Sequence, residues 1–205
     1  IGGEFASSVR SIREGVVPDD AHRIALQNSL TLGEIVRDIN KFSNNVMARQ
    51  LLISLGASKT KVGASAADGQ AVVRAWLAGR GLNFPELVIE NGSGLSRTER
   101  ISAAHLVQLL QSAWGSAVMP ELMASLPLIA VDGTMKKRLK DKSIAGQAHI
   151  KTGSLDGVKT MAGYVLDKNG RRWALAFLVN HPSAAQSAAA QDALLEWVHA
   201  GGAAL

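Results

Sequence analysis

From Thr31 onward, apolar residues recur at helical spacing. Leu32, Ile35, Val36 and Ile39 share one face, Thr31 can cap it, and Glu34 three positions on completes a capping box. A second apolar set, Val46, Met47, Leu51, Leu52 and Leu55, closes at Gly56, with polar Ser43-Asn44-Asn45 between the two sets. Ser65 to Gly81 predicts a third helix carrying Val72, Val73, Trp76 and Leu77. Leu87-Val88-Ile89 reads as a short strand running into the polar, glycine-rich loop 91–96. Ser102 then caps a helix with Leu106, Leu109, Leu110 and Trp114, and Pro120 starts a shorter one through Leu126. The period changes after that. Ala148 to Lys151, Met161 to Leu166 and Trp173 to Val179 have strand lengths, and Asp167-Lys168-Asn169-Gly170 between the last two carries the Asn-Gly pair of a tight hairpin. An alanine-rich helix from about Ser183 ends the chain. Ahead of all this, residues 1–30 read as irregular or short-strand, with loose alternation from Phe5 to Ile12 and a turn signal at Val17-Pro18-Asp19-Asp20. The expected architecture is α/β: an antiparallel sheet covered by helices.

Composition agrees with one such domain, or one with a small appendage. Of 205 residues, 47% are hydrophobic and 19% charged, enough apolar material for a sizeable core. The excess of 22 Lys and Arg over 17 Asp and Glu suits an anionic partner. No basic run carries interleaved aromatics as a base-stacking platform would, which argues against nucleic acid. The absence of cysteine excludes a disulfide framework, a thiolate zinc site and a cysteine nucleophile. No apolar stretch reaches the ~18 residues of a membrane span. The chain opens Ile1-Gly2-Gly3 rather than with Met, and is read as part of a longer product.

Two short patterns could carry chemistry. In Lys151-Thr152-Gly153-Ser154, at the end of the first predicted strand, an ammonium and a hydroxyl can hold a carboxylate. The glycine admits a substrate backbone, and the Ser154 N–H can serve as half of an oxyanion hole. The plainer alternative is a solvated lysine before a turn. At the junction of two helical faces, Ser43 can relay a proton and Asn45 can position a lysine or a carbonyl, unless Ser43 merely caps the second helix.

Ser-x-x-Lys, Ser-x-Asn and Lys-Thr-Gly in that order form the signature set of penicillin-binding proteins and class A β-lactamases, and this chain has the last two. The stretches IVRDINKFSNNVMARQLL, ENGSGLSRTERIS, VDGTMKKRL, HIKTGSLDGVKTMAGYV and FLVNHPSAAQSAAAQDALLEWV resemble the C-terminal part of class C low-molecular-mass penicillin-binding proteins, the D-alanyl-D-alanine carboxypeptidase/endopeptidases of the penicillin-binding protein 4 type. The resemblance runs from about Glu14 onward. It implies a β-lactamase/transpeptidase-like fold and a periplasmic or exported protein without a cofactor. The implied partners are peptidoglycan stem peptides and β-lactams. It also implies catalytic Ser43, Asn45 and Lys151, with Thr152, Gly153 and Ser154 binding substrate. Asp156 departs from the Asn expected there. The family's nucleophilic Ser-x-x-Lys should precede Ser43, and none does. Ser58-Lys59-Thr60-Lys61 spells the pattern after the second motif and reads as coincidence. The chain is therefore expected to be the C-terminal portion of a peptidase domain over residues 1–205, with 1–30 a connection from a missing upstream domain. Alone, it is expected to be inactive. A β-lactamase and a non-catalytic module that binds wall peptide are the alternatives.

The remaining features read plainly. The five histidines lack metal-ligand spacing, so no metal is expected. The 91–94 glycine loop lacks the Gly-Lys-Ser/Thr of a phosphate site. Lys136 to Lys140 reads as a solvated basic face, and Trp114 and Trp197 as core.

Overall fold

The structure, a computed structural model, describes residues 15–60 and 63–202, so the alternation expected from Phe5 to Ile12 lies outside it. Two units are present, residues 1–30 and 31–205. Described residues of the first form no helix or strand, apart from the predicted turn, where the Ala21 N–H donates to Pro18 O at 3.1 Å.

In the second unit the predicted helices form where their caps place them. Helix α1 (Leu32–Phe42) starts at the Thr31/Glu34 capping box, and α2 (Asn45–Ala57) starts at Asn44, whose side chain accepts from the Met47 N–H. Ser65 and Asp68 box the start of α3 (Ala66–Gly79), Ser102 caps α4 (Ala103–Trp114), and α5 (Met119–Ser125) carries a proline in its first turn. The burial on α1 is not the one its apolar spacing predicts. Leu32 and Phe42 are exposed, while Lys41, on the opposite face, is 5% exposed and is the buried residue of the helix.

Three sequence-consecutive strands, β1 (Ala148–Leu155), β2 (Val158–Leu166) and β3 (Arg172–Asn180), pair antiparallel in the order β1-β2-β3. The period-two alternation gives the sheet two unlike faces. Ala148, Ile150, Met161, Val165 and Leu175 form one core with Leu195 and Val198 of α6 (Ala188–His199). The other face carries His149, Lys151 and Gly153, which stand opposite Tyr164, Ala162 and Thr160 of β2. Here α4 lies across β3 and β2, and the Tyr164 hydroxyl donates to Leu110 O at 2.6 Å.

Three expectations need correction. Leu87 to Ile89 is no strand; it makes a single bridge, Val88 to Arg100. The N–H groups that would extend the ladder, those of Glu90, Asn91 and Gly92, all donate to one carboxylate oxygen of Glu99 instead. Trp114 and Trp197 are not core but 42% and 49% exposed. Trp114, at the end of α4, lies against Tyr164 with the Arg172 guanidinium 5.5 Å from its ring, so it is covered only in part. The last helix is preceded by a 3₁₀ turn, Ala184–Ser187, so regular α structure starts at Ala188.

Asp167 fastens the β2–β3 hairpin. Its carboxylate accepts from the N–H groups of Asn169 and Arg171, from Arg171 Nε and from Trp173 Nε1. Burial opposes its ionisation, but these donors outweigh burial and hold it at about 2. A carboxyl depressed in the folded state stabilises above its ordinary 3.8, and the contribution disappears as pH falls toward 2. Asp167→Asn is therefore expected to be less stable than the parent in urea unfolding at pH 7, with the gap closing on acidification through this window. Gly163 faces Ile150 so closely that a Cβ would stand 2.0 Å from His149 O. Because the obstacle is backbone, Gly163→Ala is expected to cost about 3 kcal/mol in the same assay.

Candidate active site

The edge strand β1 creates the site. Along its first half the side away from β2 is closed: the Ile129 N–H donates to Ala148 O at 2.9 Å and the Ile150 N–H to Pro127 O at 2.8 Å. Alternate residues of a strand direct their N–H and C=O to the same edge, so those of Thr152 and Ser154 point as Ile150's do. No backbone among the described residues pairs with them. They face an open cleft of about 1720 Å³ between α1–α2, the loop 92–97 and β1. The Lys-Thr-Gly-Ser sequence thus lies within β1, not at its end, and half of that strand offers an unpaired edge.

Into this cleft the fold brings residues far apart in sequence. The Lys151 ammonium donates to Ser43 Oγ at 2.6 Å, across 108 positions, and to Thr152 O at 2.9 Å. Lys151 makes no ion pair among the described residues, and burial pushes its ammonium below the usual lysine range. Ser43 reaches the lysine because it ends α1 in a left-handed conformation, φ 53° and ψ 48°. A serine there is strained, and the strain turns its side chain out of the helix axis into the junction. Ser43 is not a helix cap for α2, since Asn44 does that work and leaves the Ser43 hydroxyl to Lys151. Asn45, the first residue of α2, lines the cleft half-buried and makes no side-chain hydrogen bond among the described residues.

Thr152 Oγ1 lies 3.1 Å from Thr134 Oγ1 at the rim. Gly153 leaves room for Thr160, whose Oγ1 would be 2.5 Å from an added Cβ. Ser154 is exposed at the cleft. Asp156 contributes its backbone, not its carboxylate: its carbonyl accepts from Arg97 Nη1 at 2.7 Å. Arg97, Thr134 and Lys41 were not singled out in the sequence, although all three lie in stretches that carry the resemblance. Arg97 lies inside the ENGSGLSR stretch, but spacing alone gives no hint that it spans to the β1–β2 turn. Ser58 is elsewhere: exposed at the end of α2, it donates to Leu55 O, and Lys61 lies outside the described residues. Among the described residues no group of three His, Cys, Asp or Glu could hold a metal.

Comparison with known proteins gives this cleft a context. Residues 2–200 match the D-Ala-D-Ala carboxypeptidase 3 (S13) family. The chain belongs to that family. Among relatives, the D-alanyl-D-alanine carboxypeptidase of Actinomadura sp. (strain R39) is 35% identical over 85% of this chain and 33% of its own length. D-alanyl-D-alanine carboxypeptidase DacB of Haemophilus influenzae is 27% identical over 80% of this chain and 34% of its own. The chain thus spans about a third of the curated relatives it matches. The crystal structure of H. influenzae penicillin binding protein 4 with a novel β-lactam superposes with a TM-score of 0.67 at 27% identity, covering 72% of this chain and 34% of that one. A class A β-lactamase from Bacteroides cellulosilyticus, at 21% identity and TM-score 0.58, shares the fold. The expected β-lactamase/transpeptidase-like architecture is therefore the one present.

Lys151 also makes a prediction about stability. A buried ammonium with a lowered pKa weakens the fold while charged, and the penalty is relieved as pH rises through its folded pKa. Thermal melts of parent and Lys151→Met should therefore differ most in the variant's favour near pH 7. That difference should shrink as pH approaches 10.5, the ordinary lysine value.

Proposed function

We propose that this chain supplies the second and third motifs of a serine-type D-Ala-D-Ala carboxypeptidase/endopeptidase. The enzyme would act on peptidoglycan stem peptides and be acylated by β-lactams. The observation that carries this reading is the contact of Lys151 with Ser43, at 2.6 Å beside an unpaired strand edge in an open cleft. Membership of the S13 family and the names of its relatives support it.

On this reading a substrate peptide lies along the free edge of β1 and pairs with the backbone of Thr152 and Ser154. Lys151 and the Thr152 hydroxyl take its terminal carboxylate, and Gly153 lets its backbone approach. The nucleophilic serine comes from a segment upstream of this chain. Its Oγ attacks the penultimate D-Ala carbonyl carbon while its proton goes to a lysine base, and the Ser154 N–H stabilises the oxyanion. Collapse breaks the peptide bond, and Ser43, hydrogen-bonded to Lys151, delivers a proton to the departing amine. Water then hydrolyses the acyl-enzyme. Asn45 positions the substrate amide.

The chain is thus read as the C-terminal portion of the peptidase domain, with 1–30 as a connection from upstream chain. The outer edge of β3 has no strand partner among the described residues, and Leu32, Phe42 and Val46 expose apolar surface, as fits a domain completed by further chain. Its proposed place is outside the cytoplasmic membrane. No helix of the described residues is long and apolar enough to cross one.

Intact-mass spectrometry with benzylpenicillin tests the reading. The product of the complete gene should gain one acyl group and the 205-residue chain alone none. An adduct on the isolated chain, or none on the complete protein, would overturn it. In the complete protein, Lys151→Ala is expected to lower the acylation rate by ~10²–10³-fold, as loss of one electrostatic donor at a reacting centre does.

A further inference from the structure

The Lys41 ammonium is buried and donates three hydrogen bonds: to Leu126 O at 2.6 Å, to Asp132 Oδ1 at 2.8 Å and to Asp132 Oδ2 at 2.7 Å. Asp132 Oδ1 also accepts from the Leu128 N–H at 2.8 Å. Burial opposes ionisation of Asp132, but Lys41, the Leu128 N–H and the nearby Arg37 outweigh it and hold the carboxyl below its ordinary range. An ion pair that buries its ammonium and leaves its carboxylate partly exposed is a poor source of stability, because desolvation of the ammonium cancels much of the attraction. What such a pair does well is fix one segment relative to another.

The two segments fixed here are the ones the candidate site depends on. Lys41 lies two residues before Ser43. Asp132 lies on the stretch 126–132, which covers the edge of β1 through hydrogen bonds with Ala148 and Ile150, the latter next to Lys151. The bonds close a ring that runs from Ser43 through Lys41, Asp132, the 127–129 segment, Ile150 and Lys151 back to Ser43. Lys151 has no carboxylate partner among the described residues, so its placement rests on Ser43 Oγ and Thr152 O. Ser43 sits in a left-handed conformation that persists only where its surroundings over-determine it. Asn40 strengthens the same junction, donating to Ser125 Oγ at 2.8 Å.

We propose that the Lys41–Asp132 pair is a positioning device, which holds Ser43 at hydrogen-bonding distance from Lys151 in the catalytic cleft. The inference rests on the functional reading above, and the two can fail separately.

The test uses the product of the complete gene. In Lys41→Met/Asp132→Leu the pair is replaced by apolar side chains of similar size, and the melting temperature reports whether the variant folds. The second-order rate of acylation by benzylpenicillin should fall by ~10²-fold, the cost of a displacement of about 1 Å at a catalytic group. On a peptide ending D-Ala-D-Ala, kcat should fall with KM nearly unchanged. Asp132→Glu supplies a second arm that keeps the charge and lengthens its tether by one methylene. It should fold and be acylated about tenfold more slowly. A folded double variant, or a folded Asp132→Glu protein, that is acylated at the parental rate would overturn the proposal. Failure of the parent itself to be acylated would instead count against the functional reading.

Discussion

An edge strand must find partners for every second N–H and C=O, and the structure answers this need differently along the two halves of β1. The Pro127–Ile129 segment takes up the first half, and the second half is left open. That division decides where the cleft lies, why Lys-Thr-Gly-Ser faces it, and why the segment preceding the sheet must be fastened so firmly. The bulky face of the sheet packs on α6, while the face with Gly153, Ala162 and Thr160 carries less bulk and leaves room for Lys151 and the junction of α1 and α2.

Electrostatics within the cleft follow from the same layout. Two lysines stand near Ser43 and differ in their company. Lys41 is saturated by a carboxylate and a carbonyl, whereas among the described residues Lys151 meets only a hydroxyl and a carbonyl. The first is fixed in place. The second has a weakened hold on its proton, because burial disfavours its charged form.

Much of this was legible in the residues. Capping boxes at Thr31 and Ser65, the cap at Ser102 and the hairpin at Asp167 to Gly170 are local signals, and the structure follows them. The motif residues Ser43 and Lys151 were legible through the resemblance, although nothing in their separation specifies a 2.6 Å contact. The failures share a cause, because each depends on partners distant in sequence. The Leu87–Ile89 run lost its ladder to the Glu99 carboxylate, which no period reveals. Trp114 and Trp197 lie at helix ends, where hydrophobicity does not say how much is covered. Lys41 was invisible because it lies on the polar side of an amphipathic pattern, and only tertiary structure shows that this side is buried.

The spacing of the dyad has a consequence for how the molecule assembles. The strands are consecutive and joined by short turns, so the sheet has mainly local contacts and can form quickly once its residues are available. The Ser43–Lys151 contact closes a loop of 108 positions, and its entropic cost is met only when both ends are already ordered. During synthesis the serine leaves the ribosome long before its lysine, and helices α1 and α2 emerge with the motif exposed and unpartnered. A nascent or truncated chain that stops short of the sheet therefore carries the serine motif without the contact, and the cleft is complete only once the last third of the polypeptide has followed.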